Sequence, residues 1–99
     1  MPLLISYDIR WEENKVQEFR DTSDRIRNEL KKLNAKNLLY TVWLLETTDS
    51  VQTVLARLKS LVRKEDTILV APTNNDYKVE NGGGIGRLAR FSPLPARPR

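Results

Sequence analysis

Three short apolar runs rich in β-formers, residues 3–9, 38–46 and 67–71, alternate with two longer stretches whose apolar residues recur at helical spacing. This alternation constrains the fold more than any other feature. Strands and helices that alternate along a short chain must bury their apolar sides against one another, as a sheet with helices packed on it. Right-handed crossovers then place both helices on the same face of the sheet.

The first run, Leu3-Leu4-Ile5 followed by Tyr7 and Ile9, reads as a strand buried on both faces at Leu3–Ile5. Val16, Phe19, Ile26, Leu30 and Leu33 then mark one helical face, with Ser23 expected to fill the stripe between Phe19 and Ile26. Asn34 is placed to stop this helix in the left-handed conformation. Leu38–Glu46, LLYTVWLLE, is read either as one long strand or as two short ones meeting at a bend. A second helix follows. Asp49 or Ser50 caps it, with Gln52 in capping-box position to Asp49, and Val51, Val54, Leu55, Leu58, Leu61 and Val62 form its stripe. Arg63 and Lys64 are expected to close it with the charge that the helix dipole favours. Thr67–Ala71 is a further strand, ended by Pro72, and Tyr77–Glu80 alternates as a short edge strand would. With two strands in the middle, the order is βαββαβ. The expected fold is α+β, ferredoxin-like, with an additional short C-terminal strand and helices on one face of an antiparallel sheet.

At 99 residues the chain makes one domain. Residues 1–80 are expected to form it, and residues 81–99 to be a Gly-rich hinge and a flexible basic tail rich in Pro and Arg. The net charge of +4 belongs to that tail. Lys and Arg balance Asp and Glu up to Glu80, and the excess is Arg87, Arg90, Arg97 and Arg99. A basic surface on the folded part must therefore come from segregation of charge. The chain holds neither Cys nor His, which excludes thiol nucleophiles, His-based triads and the usual zinc sites. A metal here would be Mg²⁺, Mn²⁺ or Ca²⁺ on oxygen ligands. No apolar run is long enough to span a membrane, and the N-terminus does not read as a signal peptide. The lack of cysteine fits a reducing, cytoplasmic setting.

The segment Ser6-Tyr7-Asp8-Ile9-Arg10 carries the clearest candidate for chemistry. An acid directly after a buried strand stands at the end of the sheet, where open sheets bind ligands. Two readings are open for Asp8. It caps the strand by accepting hydrogen bonds from the following loop, or it ligates a divalent cation. One carboxylate is too few for a tight Mg²⁺ site, and a two-fold dimer would supply a second Asp8.

Tyr7-Asp8-Ile9 on the first strand and Tyr40-Thr41-Val42-Trp43 on the second resemble motifs of the CRISPR-associated adaptation nuclease family, the small ferredoxin-like partner of the CRISPR integrase. The resemblance covers about residues 3–80 and is that of a divergent member, with Leu38 and Leu39 where the family usually has a polar residue. The related superfamily includes the virulence-associated protein D ribonucleases. The resemblance implies a homodimer in which a C-terminal strand, here Tyr77–Glu80, pairs with the partner's sheet. It also implies Asp8 as catalytic metal ligand for Mg²⁺ or Mn²⁺ and nucleic acid as substrate. The integrase subunit becomes a possible partner. Two functions follow: metal-dependent hydrolysis of RNA or DNA at a dimer interface, or a non-catalytic dimeric scaffold for DNA or protein. Ser6 and Tyr7 are candidates for orienting the attacking water.

Arg20, Arg27 and Lys31 share one helical face and can touch phosphates, although interleaved acids also suit a solvated surface. Arg10 and Trp11, two and three residues after Asp8, are candidates for nucleic-acid contact. Trp43 is expected in the core. A third function, a regulatory domain binding a small ligand, gains nothing from Gly82–Gly86, which opens no helix.

Overall fold

The computed structural model describes residues 1–74. The elements run β1 (Pro2–Asp8), a 3₁₀ turn (Glu13–Lys15), α1 (Val16–Lys32), β2 (Lys36–Leu39), β3 (Val42–Glu46), α2 (Val51–Lys59) and β4 (Thr67–Pro72). The strands form one sheet in the order β2-β3-β1-β4, and every neighbouring pair is antiparallel. This is the ferredoxin-like α+β arrangement expected from the βαββαβ order. The expected strand Tyr77–Glu80, the hinge and the tail lie outside the described residues. No helix among the described residues is long and apolar enough to cross a membrane.

The middle run is two strands rather than one. Leu39 faces Val42 across the two-residue turn Tyr40-Thr41, and the β2 register slips at Leu38. The Asn37 side-chain amide donates to the Leu39 and Val42 carbonyls, at 2.5 and 3.1 Å, and braces the turn. Asn34 ends α1 at φ 63°, as its position predicts. Its N–H donates to the Lys31 carbonyl, and that of Ala35 donates to the Leu30 carbonyl, the paired bonds of a Schellman stop.

Register assigns the side chains of each strand to a face. Leu3, Ile5 and Tyr7 on β1 and Trp43 and Leu45 on β3 are buried with Ile26 and Leu30 of α1 and Val54 and Leu58 of α2 in one core. Each such side chain contributes about 1.5–3 kcal/mol by leaving water. Trp43 is in the core, as expected. The polar residue that completes the α1 stripe is Thr22, buried in line with Ile26 and Leu30; Ser23 is only half-buried.

Three expectations are corrected. The first strand is not buried on both faces at Leu3–Ile5. Leu3 and Ile5 point to the helices, but Leu4 points to the opposite face, which no described element covers, and is half-buried. Of the two caps open for α2, Ser50 is the one used, its hydroxyl accepting from the Thr53 N–H at 3.1 Å, and the capping box expected at Asp49 does not form. Finally, α2 stops at Lys59, so Leu61–Lys64 lie past its end, and Arg63 reaches an acid in the next loop instead of serving the helix dipole.

Candidate functional site at the end of the open sheet face

The helix-free face of the sheet is formed by Pro2, Leu4, Ser6 and Asp8 of β1, Val42, Leu44 and Glu46 of β3, Thr67, Leu69 and Ala71 of β4, and Lys36 and Leu39 of β2. Its centre is apolar, with one acid at each end and Lys36 on the β2 edge, opposite Leu44. Asp8, opposite Thr67, closes one end; Glu46, opposite Pro2, closes the other. Leu69 remains 56 % exposed and Leu39 47 %.

The Asp8 side chain is exposed and makes no hydrogen bond or ion pair with any described residue. The strand-cap role open to it belongs to Asp66. The Arg10 N–H, in the loop after β1, donates to Asp66 Oδ1 at 2.8 Å, and the Arg63 N–H donates to Oδ2 at 2.9 Å. The Arg63 guanidinium adds Nε to Oδ2 at 3.0 Å and Nη2 to Oδ1 at 2.9 Å, while Nη2 also donates to the Arg10 carbonyl at 2.8 Å. The Asp66 side chain is 0 % exposed. Burial pushes its carboxyl pKa up, but hydrogen bonds from Arg63 and from the Arg10 and Arg63 N–H groups outweigh burial and hold it below the ordinary carboxylate value. Hydrogen bonding to Asp66 raises the pKa of Arg63 in turn, against its desolvation. This clasp fastens the loop after β1 to the loop before β4 and leaves Asp8 uncommitted.

Tyr7 faces away from Asp8, into the core, so it cannot orient a water there, contrary to the sequence expectation. Burial pushes its pKa up to about 12, while the neighbouring Trp43 indole and the Arg27 charge pull the other way. The Tyr7 hydroxyl and Trp43 Nε1 nonetheless fall short of hydrogen-bonding geometry, and both buried atoms lack a partner. Ser6 lies on the open face with Asp8, two residues away.

The remaining candidates divide. Arg10 is engaged: its Nε pairs with Glu12 at 3.1 Å and its backbone is held by the clasp. Trp11 is 37 % exposed in the loop after β1. On α1, Arg25 is tied to the Leu61 carbonyl, and Arg57 of α2 pairs with Glu29 at 2.6 Å. Arg20, Arg27 and Lys31 form no ion pair among the described residues. They project from a helix on the opposite side of the sheet from Asp8, so the fold does not gather the candidate metal ligand and the candidate phosphate contacts into one site.

No group of three or more His, Cys, Asp or Glu fit to hold a metal occurs among the described residues. Compared with models of protein families and with curated proteins, the sequence matches none.

Proposed function

We propose that the chain is a cytoplasmic nucleic-acid-binding protein acting as a two-fold dimer, in which Asp8 of each protomer takes part in holding a divalent cation. The observation that carries this reading is Asp8 itself, exposed and uncommitted at the end of an uncovered apolar sheet face. An apolar face of this kind marks an interface. A two-fold relating two stacked sheets lies between them. If it runs along the strands, the Asp8 ends meet; if it runs across them, Asp8 meets the Pro2–Glu46 end. Only the first geometry supplies two carboxylates to one Mg²⁺ or Mn²⁺.

Asp8 of each protomer would hold such a cation through oxygen, and the cation would supply water activation and charge neutralisation for phosphodiester hydrolysis. Within the chain, Asp8 supplies the oxygen ligand and Ser6, on the same face, can orient the water. No histidine is present to act as base. This is the role implied by the resemblance to the CRISPR adaptation nuclease family. The free cations Arg20, Arg27 and Lys31 supply the phosphate contacts.

The test is Asp8→Asn, which keeps the shape and removes the charge. Loss of Mg²⁺- or Mn²⁺-dependent cleavage of RNA or DNA, with the dimer intact, supports catalysis. Cleavage that persists removes Asp8 from the mechanism. The second reading, a scaffold holding DNA or a protein such as an integrase subunit, is favoured by there being one uncommitted carboxylate per protomer at this end of the sheet face. It expects nucleic-acid binding without metal-dependent cleavage.

A further inference from the structure

The β2–β3 turn carries Tyr40, 50 % exposed at a position where no strand neighbour requires an aromatic side chain. Its place is fixed by the hydrogen bond of the next residue: the Thr41 carbonyl accepts the Tyr7 N–H at 3.2 Å, which docks the turn against the end of β1.

Helix geometry places Arg27 on the same flank. Arg25 is turned toward the α2 side, where it donates to the Leu61 carbonyl just past the end of that helix. Two residues further on is a rotation of about 200°, so Arg27 points away from α2. In the order β2-β3-β1-β4, the side away from α2 and β4 is the side of the β2–β3 turn. Arg20 and Lys31 continue this flank, about 10 Å and 6 Å from Arg27 along the axis. None of the three has an ion-pair partner among the described residues. A row of free cations beside an exposed aromatic ring is the combination that single strands require: charge for the backbone and a flat face for a base. A duplex keeps its base faces stacked inside and offers nothing to Tyr40.

We propose that this flank binds single-stranded nucleic acid, with Arg20, Arg27 and Lys31 on successive phosphates and a base stacked on Tyr40. The proposal rests on the nucleic-acid reading above and is independent of Asp8 and of catalysis.

The experiment measures fluorescence anisotropy with the full chain and labelled oligonucleotides of about 12 nucleotides. RNA and DNA of one sequence, and the corresponding duplex, are compared. Single strands are expected to bind more tightly than duplex, and the RNA and DNA arms show which sugar is preferred. Tyr40→Ala is expected to weaken single-strand binding about tenfold, and Tyr40→Phe, which keeps the ring, to leave it within about twofold. Arg27→Gln is expected to lower the salt slope by about 0.7, whereas Tyr40→Ala leaves that slope unchanged. Thermal melts of each variant confirm folding. Equal binding by wild type and Tyr40→Ala, or a preference for duplex, overturns this proposal while the nucleic-acid reading stands. Absence of binding to any of the three probes overturns both.

Discussion

On the side of the sheet turned toward the helices, Leu3, Ile5, Trp43 and Leu45 are at most 4 % exposed, whereas on the other side Leu4 and Leu44 are half-buried and Leu69 stays mostly open. The same strands supply both sets, one residue apart. The outer set includes Ser6, Asp8, Lys36, Glu46 and Thr67, but its centre, Leu4, Leu44 and Leu69, is as apolar as the inner one. The difference comes from what lies over each side: α1 and α2 cover one, and no described element covers the other. A polar outer face would leave the sheet content as it is. An apolar one calls for a cover, and the two-fold dimer proposed above supplies it.

The largest effect should come from the covered side. Ile5→Ala empties a position that Ile26, Leu30 and the β-strand side chains close around, and should cost about 3–4 kcal/mol in denaturant unfolding at any protein concentration. The neighbouring Leu4→Ala tests the other side. In an isolated protomer it should cost about 1 kcal/mol, because Leu4 is only half-buried. A cost equal to that of Ile5→Ala, growing with protein concentration, would show that a second copy covers the open face.

Asp66→Asn should be next, at about 3 kcal/mol near neutral pH, because it removes the charge around which Arg63 and two N–H groups are arranged. The direction with pH follows from its lowered pKa. The folded state binds the Asp66 proton more weakly than the unfolded chain does. The stabilisation is therefore complete above the unfolded carboxylate value, about 3.9, and is lost as pH falls through the lower folded value. Urea titrations from pH 7 to strong acid should show a smaller acid-induced loss in Asp66→Asn than in wild type. Parallel pH profiles would remove the clasp from the account.

Leu44→Lys should act on association rather than on folding. A charge in the middle of the open face should convert a dimer to monomer in sedimentation while the melting curve of the dilute protein changes little. If wild type is already monomeric at tens of micromolar, the interface is absent and the shared Asp8 site falls with it. The smallest effect belongs to Tyr7→Phe. Removing a buried hydroxyl without a partner should leave stability unchanged or raise it by up to about 1 kcal/mol, read as a slightly higher Tm. A clear loss would mean that the hydroxyl is bonded in solution.

Much of the fold was legible before any coordinates. The helical stripe Phe19–Ile26–Leu30, the Ser50 cap and the left-handed stop at Asn34 follow from local spacing and local chemistry, and each stands where it was expected. Asp8 was legible as a strand-end acid for the same reason, though not its exposure. The turn at Tyr40-Thr41 was not decided by local pattern, since neither residue is a strong turn former and LLYTVWLLE reads as well as one strand. Asp66 was invisible as a clasp because one of its donors, the Arg10 N–H, lies 56 residues away and carries no side-chain signature. Only the spacing of Arg63 and Asp66 could have hinted at it.

The sequence by itself determined the order and type of the elements, because periodicity and caps act over a few residues and need no partner. The tertiary structure decided which apolar residues became core. Crossover handedness put both helices on one side, and strand register sent Leu3 and Ile5 toward them and Leu4 away. It also parted Asp8 from the cations of α1 and chose Asp66 over Asp8 to close the loops. Each of these is a meeting of groups distant in sequence, and only the packing of one sheet against two helices brings such groups together.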